Sequence, residues 1–156
     1  MDTFEVRAIG RVVGGRSEVV DDDWGRVEAV IELDQRFEPE VLAGLEDFSH
    51  VEVIFVFDQV DADRINLTAR HPRNNTDWPL VGIFAQRAKG RPNRLGLTTC
   101  EIVAVSGRNL RVRGLDAVDG TPVIDLKPYM AEFAPRGVTR QPAWVGELMA
   151  DYWGDA

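Results

Sequence analysis

Cysteine is nearly absent: Cys100 stands alone among 156 residues, so no internal disulfide can form. Histidine is almost as scarce, with His50 and His71 the only two, and no zinc site built from Cys and His is expected. Long apolar runs are missing as well. The longest, residues 51–60, is broken by Glu52 and Asp58, so no membrane span is expected. The first residues, Met-Asp-Thr-Phe-Glu, lack the basic start and apolar core of a secretory signal, and the expected compartment is the cytoplasm. No Gly-x-Gly-x-x-Gly follows a strand pattern and no Walker-type loop occurs. A nucleotide-like ligand would need another kind of pocket.

What is present is an acidic chain with enough apolar residues for a core. The hydrophobic fraction is 44% and the net charge is −8. That charge excludes broad affinity for nucleic acid. It is unevenly spread: residues 1–63 carry a balance of −12, residues 64–94 one of +6 and residues 95–156 one of −2. The basic middle third is either a focused anion-binding face or a solvated stretch whose arginines pair with the acidic first third.

Strand patterns dominate. Residues 4–13, 26–33, 51–57, 80–86, 96–105, 109–115 and 121–126 read as strands, with 80–86 (LVGIFAQ) expected in the core. Residues 96–105 and 109–115 form a hairpin around Ser106-Gly107-Arg108. Residues 38–45 read as a short helix, 61–79 as a long polar loop, and 143–153 as a terminal helix with Trp144, Val145, Leu148, Met149 and Tyr152 at helical spacing. The expectation is a mainly β, single-domain barrel or sandwich over residues 1–156, with about seven strands and short helices.

Three clusters carry polar chemistry. In the first, Phe84 to Gly96, the cations Arg87, Lys89, Arg91 and Arg94 surround a turn stiffened by Pro92; arginine suits bidentate contact with phosphate or carboxylate. The alternative is an ordinary exposed turn. The second is Gly114-Leu-Asp-Ala-Val-Asp-Gly-Thr-Pro-Val-Ile-Asp-Leu-Lys-Pro-Tyr129. Its tight loop offers backbone donors to an adenine edge and a carboxylate to ribose hydroxyls; alternatively, Asp116 and Asp119 merely cap a turn. The third, Phe48-Ser49-His50, leads into a core strand, where a lone His is usually structural.

Taken together, GLDAVDGTPVIDLKPY, GIFAQR, RPN-x-x-G, FSH and HPR (His71-Pro72-Arg73) resemble the TrmO (TsaA-like) family of S-adenosylmethionine-dependent tRNA methyltransferases. Members carry Phe-Ala-Thr-Arg, Arg-Pro-Asn-Pro-Ile-Gly and Gly-Leu-Asp-x-x-Asp-Gly-Thr-Pro-Val-Leu-Asp-Ile-Lys-Pro-Tyr, and the likeness runs over roughly residues 7–130. The resemblance implies a small β-barrel that binds S-adenosylmethionine outside a dinucleotide fold, usually as a homodimer. It also implies methyl transfer to the exocyclic nitrogen of threonylcarbamoyladenosine beside the tRNA anticodon.

Carried over by position, the implied cofactor contacts are Asp22, Asp23 and Trp24, Asp58 and Gln59, Arg87, Leu97, and the loop Leu115, Asp116, Ala117, Val118 and Asp119. Arg73, Arg91 and Arg94 are the implied substrate contacts within the basic segment. Asn93 would orient the acceptor, and Asp119, Asp125 or Tyr129 would take its proton. Lys127 would assist Tyr129 or bind the threonyl carboxylate. The chain departs from the family where Asp22-Asp23-Trp24 replaces Pro-Arg-Gln, where Asp58 replaces a frequent His, and where Arg94-Leu95 replaces Pro-Ile. Two other functions fit the same residues: methylation of a small molecule or protein, and a non-catalytic module that senses S-adenosylmethionine.

Overall fold

A computed structural model of the chain describes residues 1–154; the last two residues of the expected 1–156 domain lie outside the described part. The described residues form eight strands: β1 (Gly10–Val13), β2 (Glu28–Leu33), β3 (His50–Val56), β4 (Ala69–Arg70), β5 (Val81–Gly82), β6 (Leu95–Ser106), β7 (Asn109–Arg113) and β8 (Pro122–Pro128). Six of them close an antiparallel barrel in the order β1-β2-β7-β6-β3-β8, with β8 returning to β1. Closure removes the exposed edges that an open sheet would carry. No helix among the described residues is long and apolar enough to cross a membrane.

Alternation explains the barrel. On β3 the inward residues are Val51, Val53 and Phe55, and on β6 they are Gly96, Thr98 and Cys100, directly opposite in register. Ile31, Leu110, Val112, Val12 and Val123 complete the core. Gly96 faces Phe55 for a steric reason: a Cβ there would lie 2.4 Å from the phenyl ring. Register shifts between Ile54 and Phe55, and between Ile102 and Ala104, let β3 and the 12-residue β6 bend around the closed wall.

Several sequence expectations need correction. The barrel has six strands rather than about seven, with β4 and β5 paired apart from it. Residues 80–86 are not a core strand. Val81 and Gly82 pair with β4, Ile83–Ala85 makes a 3-10 turn, and Leu80 and Phe84 point to solvent, Phe84 being 80% exposed. Of residues 4–13 only Gly10–Val13 pairs as a strand. The expected helix at 38–45 is a 3-10 turn at Pro39–Leu42 followed by another at Leu45–Asp47. The terminal helix, α1, covers Ala143–Leu148 and unwinds into turns before residue 153.

Candidate functional site

Between β3 and β6 the chain makes a long excursion, residues 57–94, rooted at the barrel rim. Its two ends are stitched by Phe57 N–H to the Arg94 carbonyl at 2.8 Å and Asn66 N–H to the Gly90 carbonyl at 2.9 Å. Three arginines then brace the turn. Arg87 donates to the Leu97 carbonyl, Arg91 to the Gln86 carbonyl at 2.8 Å, and Arg94 to the Val60 carbonyl at 2.9 Å. Gln86 is buried and spends its amide on the carbonyls of Arg70 and Val81. Arg94 adopts a left-handed backbone, φ 51°, which costs about 1 kcal/mol for a non-glycine residue. Proline, which the resemblance would put at this place, cannot take that φ. The cations expected to meet substrate therefore also serve the turn's own backbone. Asn93 sits in the middle of that turn, and Asp58 and Gln59 leave the end of β3 beside it.

The loop before β2 comes to the excursion. Asp22 takes a forked contact from Arg73, at 2.9 and 3.3 Å. Both side chains are about a third exposed, so this pair fixes geometry more than it adds stability. Arg16 donates to the carbonyls of Asp22 and Asp23, both at 2.6 Å, and lies 4.8 Å above the ring centre of buried Trp24. Beneath this loop is an open concavity of about 690 Å³ lined by residues 15–18 and 20–23, Asp22 and Asp23 among them.

The loop after β7 closes the cluster. Buried Leu115 and Ala117 anchor it, leaving Asp116 half-buried between them. One Asp116 oxygen accepts the hydroxyl of Thr98, the other the hydroxyl of Tyr152. Asp119 accepts the Gly14 N–H at 2.8 Å and donates its own N–H to the Arg16 carbonyl at 2.7 Å, so it joins this loop to the one before β2. Val118 caps the turn by accepting the Thr121 hydroxyl at 2.6 Å. Burial raises the Tyr152 phenol above its ordinary range, and the Asp116 charge raises it further, while Arg87 and Arg73 pull it down. Burial, with Asp116 second, pushes the Cys100 thiol up to about 12.

The structure thus gathers Asp22–Trp24, Arg73, Arg87, Leu97, Leu115–Asp119 and the 91–94 turn around one rim. Thr98, Tyr152 and Arg16 belong to the same group and were not anticipated. Thr98 had a signal, a polar residue at an inward position of an alternating strand. Tyr152 had none, since its partner Asp116 lies far away in sequence, and nothing in the pattern around Arg16 marked its contacts with Asp22, Asp23 and Trp24.

Asn93 apart, the expected catalytic residues stand on the outer wall. Asp125 pairs in register with Ile54, which pairs with Leu97, so two strand spacings, roughly 10 Å, separate Asp125 from Leu97. Lys127 reaches Asp125 at 3.5 Å, two residues further on. Tyr129 donates its N–H to the His50 carbonyl, four residues down β3 from Ile54, roughly 13 Å along the strand. The fold does not bring Tyr129 to the cofactor-side cluster within one chain. On the same face Ile54 and Val56 are half-buried, and Leu95 and Leu97 are more than 40% exposed.

Comparison with known proteins places these features. A family model described as tRNA-methyltransferase O N-terminal domain matches residues 22–134. The human tRNA (adenine(37)-N6)-methyltransferase is 40% identical over 111 residues, covering 71% of this chain and 23% of that protein. RcsF of Pseudomonas aeruginosa, named as a candidate S-adenosylmethionine-dependent methyltransferase, is 42% identical over 129 residues, covering 81% of this chain and 53% of that one. The crystal structure of TrmO from Pseudomonas aeruginosa superposes with a TM-score of 0.72 at 28% identity, covering 89% of this chain and 62% of that one. This chain spans about half the length of the bacterial relative and under a quarter of the human one. It belongs to the tRNA-methyltransferase O family, through that family's N-terminal domain.

Proposed function

We propose that this chain binds S-adenosylmethionine at the rim between the 114–119 loop, the 15–24 loop and the 87–97 turn, and methylates N6 of adenine 37 in tRNA. The acceptor we favour is threonylcarbamoyladenosine. The observation that carries the proposal is the convergence of Asp22, Arg73, Arg87, Leu97 and Asp116 from four separate segments. The donor set suits that cofactor: Asp116 for ribose hydroxyls, backbone donors of the 115–118 loop for the adenine edge, Arg87 for a carboxylate, Leu97 for an apolar surface. An acidic loop carrying Asp21, Asp22 and Asp23 suits a sulfonium cation.

When bound, the cofactor supplies a methyl group for in-line displacement. The residues of the chain hold and deprotonate the acceptor. The N6 nitrogen is conjugated to a carbonyl and is a weak nucleophile until its proton is accepted. Asp125 takes that proton, the candidate base nearest to Leu97 along the register. Lys127 binds the threonyl carboxylate and Asn93 orients the acceptor. Arg73, Arg91 and Arg94 turn their remaining N–H groups to RNA phosphates. A tRNA substrate implies a cytoplasmic protein. The apolar wall of Ile54, Val56, Leu95 and Leu97 supports a homodimer, which sedimentation velocity tests.

Nucleoside mass spectrometry of tRNA, before and after incubation with the protein and S-adenosylmethionine, tests the function. A gain of one methyl on threonylcarbamoyladenosine is the expected result. An unmodified tRNA pool with cofactor bound in the same tube would overturn it. Asp125→Asn should lower single-turnover methylation about 10²–10⁴-fold with cofactor affinity kept.

A second reading, methylation of a small molecule or a protein, is favoured by one observation. Arg73, Arg91 and Arg94 all spend donors on their own chain, within a protein of net charge −8. It predicts cofactor uptake with no salt-sensitive tRNA binding.

A further inference from the structure

The family model ends at residue 134, yet the chain beyond it returns to the candidate site. After α1, Asp151, Tyr152 and Trp153 run beside Asp23, Trp24 and Gly25. Three consecutive backbone N–H groups of the earlier loop donate to three consecutive carbonyls of the later segment, at 3.0, 2.9 and 2.8 Å. The approach is so close that a Cβ on Gly25 would lie 2.3 Å from the Trp153 carbonyl oxygen. A second anchor ties α1 to the excursion: the Trp78 indole N–H donates to Glu147 at 2.7 Å, and His71 Nδ1 lies 2.7 Å from the Trp78 carbonyl oxygen.

The segment delivers a single hydroxyl to a particular place. The Tyr152 phenol bonds one oxygen of Asp116, and Thr98 bonds the other. A carboxylate offers about four lone-pair positions, so two remain for a ligand. With an O–H donor on each oxygen, the carboxylate plane cannot rotate freely, and its two open positions are fixed in direction. The ring of Tyr152 is itself held edge-on against Trp153, with centroids 4.9 Å apart. Holding a binding group in one orientation before the ligand arrives removes an ordering cost from binding.

We propose that Tyr152 is a positioning residue for the cofactor: supplied by the C-terminal segment, its hydroxyl orients the Asp116 carboxylate toward the ribose hydroxyls. This rests on the function proposed above, with Asp116 as the ribose acceptor. The segment acts as a built-in wall of the site.

The test is calorimetric titration of the full chain with S-adenosylhomocysteine and with its 2′,3′-dideoxy analogue, for the wild type, Tyr152→Phe and Gly25→Ala. Tyr152→Phe keeps the ring against Trp153 and deletes one O–H. Gly25→Ala displaces the whole segment by a backbone clash. The expected result is about tenfold weaker S-adenosylhomocysteine binding in Tyr152→Phe, with its dideoxy-analogue affinity and melting temperature close to wild type, while Gly25→Ala weakens both ligands and lowers the melting temperature. Equal affinity of Tyr152→Phe and wild type for S-adenosylhomocysteine would overturn the positioning role and leave the proposed function standing. An equal loss for both ligands in Tyr152→Phe would also overturn it, marking Tyr152 as merely structural. No binding by the wild type would sink the proposed function, and the inference with it.

Discussion

The wall formed by β3 and β6 and the excursion that joins them are consecutive in sequence, yet their backbones are satisfied in opposite ways. In the wall, seven residues of β3 pair in unbroken register with β6, and the side chains are left free to pack. In the excursion, β4 and β5 contribute two residues each, and carbonyls are met instead by Arg91, Arg94 and the amide of Gln86. Buried backbone groups need partners wherever they lie. A segment without a sheet recruits long polar side chains, and its positive charge is a structural requirement before it is a binding feature. The +6 balance of residues 64–94 is thus partly spent internally, which charge counting alone does not reveal.

The comparison breaks first in the wall. Phe55→Ala should cost about 3–5 kcal/mol, because the ring fills the space that Gly96 leaves open. Urea unfolding measures it. A loss below 1 kcal/mol would mean that the barrel interior is not the main store of stability.

Next in size is an alkaline effect in the wall. Burial, with the Asp116 charge second, pushes the Cys100 thiol from its ordinary value of about 9 up to about 12. A raised pKa means that the folded state holds the proton longer. The contribution is therefore intact below pH 9 and is lost as pH rises through the folded value, by about 1.4 kcal/mol per pH unit between the two. The urea midpoint should fall between pH 9 and 10 in the wild type and fall less in Cys100→Ala. The native thiol should also resist alkylation at pH 8.

Arg91→Met then probes the excursion. It leaves the Gln86 carbonyl without its charged donor and should cost about 1–2 kcal/mol, while cofactor affinity, measured by calorimetry, falls more than stability does. A loss as large as that of Phe55→Ala would erase the distinction between the two regions.

The same contrast governs what the sequence disclosed. β3, β6, β7 and β8 fall within two residues of their expected positions, because an inward face of Val, Phe, Leu and Cys alternating with wet residues admits one reading. Residues 80–86 misled because an apolar run without alternation does not say what it pairs with; Leu80 and Phe84 face solvent while Ile83, in a 3-10 turn, and Gln86 after it are buried. Residues 4–9 have a strand pattern but only Ile9 N–H finds a barrel partner, at Val123. At the candidate site, the family resemblance pointed to Asp116 and Arg87. The contacts that set their geometry, from Thr98, Tyr152 and Leu97, depend on how the barrel closes, which local pattern does not encode.

The finest distinction lies at Arg94, where the excursion rejoins the wall. Two effects oppose each other there: a left-handed backbone that disfavours any side chain, and a guanidinium bond to the Val60 carbonyl that only a long donor can make. Arg94→Gly releases the first and forfeits the second, each worth about 1 kcal/mol, so its urea midpoint should match that of wild type. Arg94→Ala forfeits the bond and keeps the strain, and should be about 1 kcal/mol less stable than Arg94→Gly. Equal stability of the two variants would show that the φ of 51° is not enforced by the excursion. The turn would then be free to adopt the backbone that a proline at this place would require.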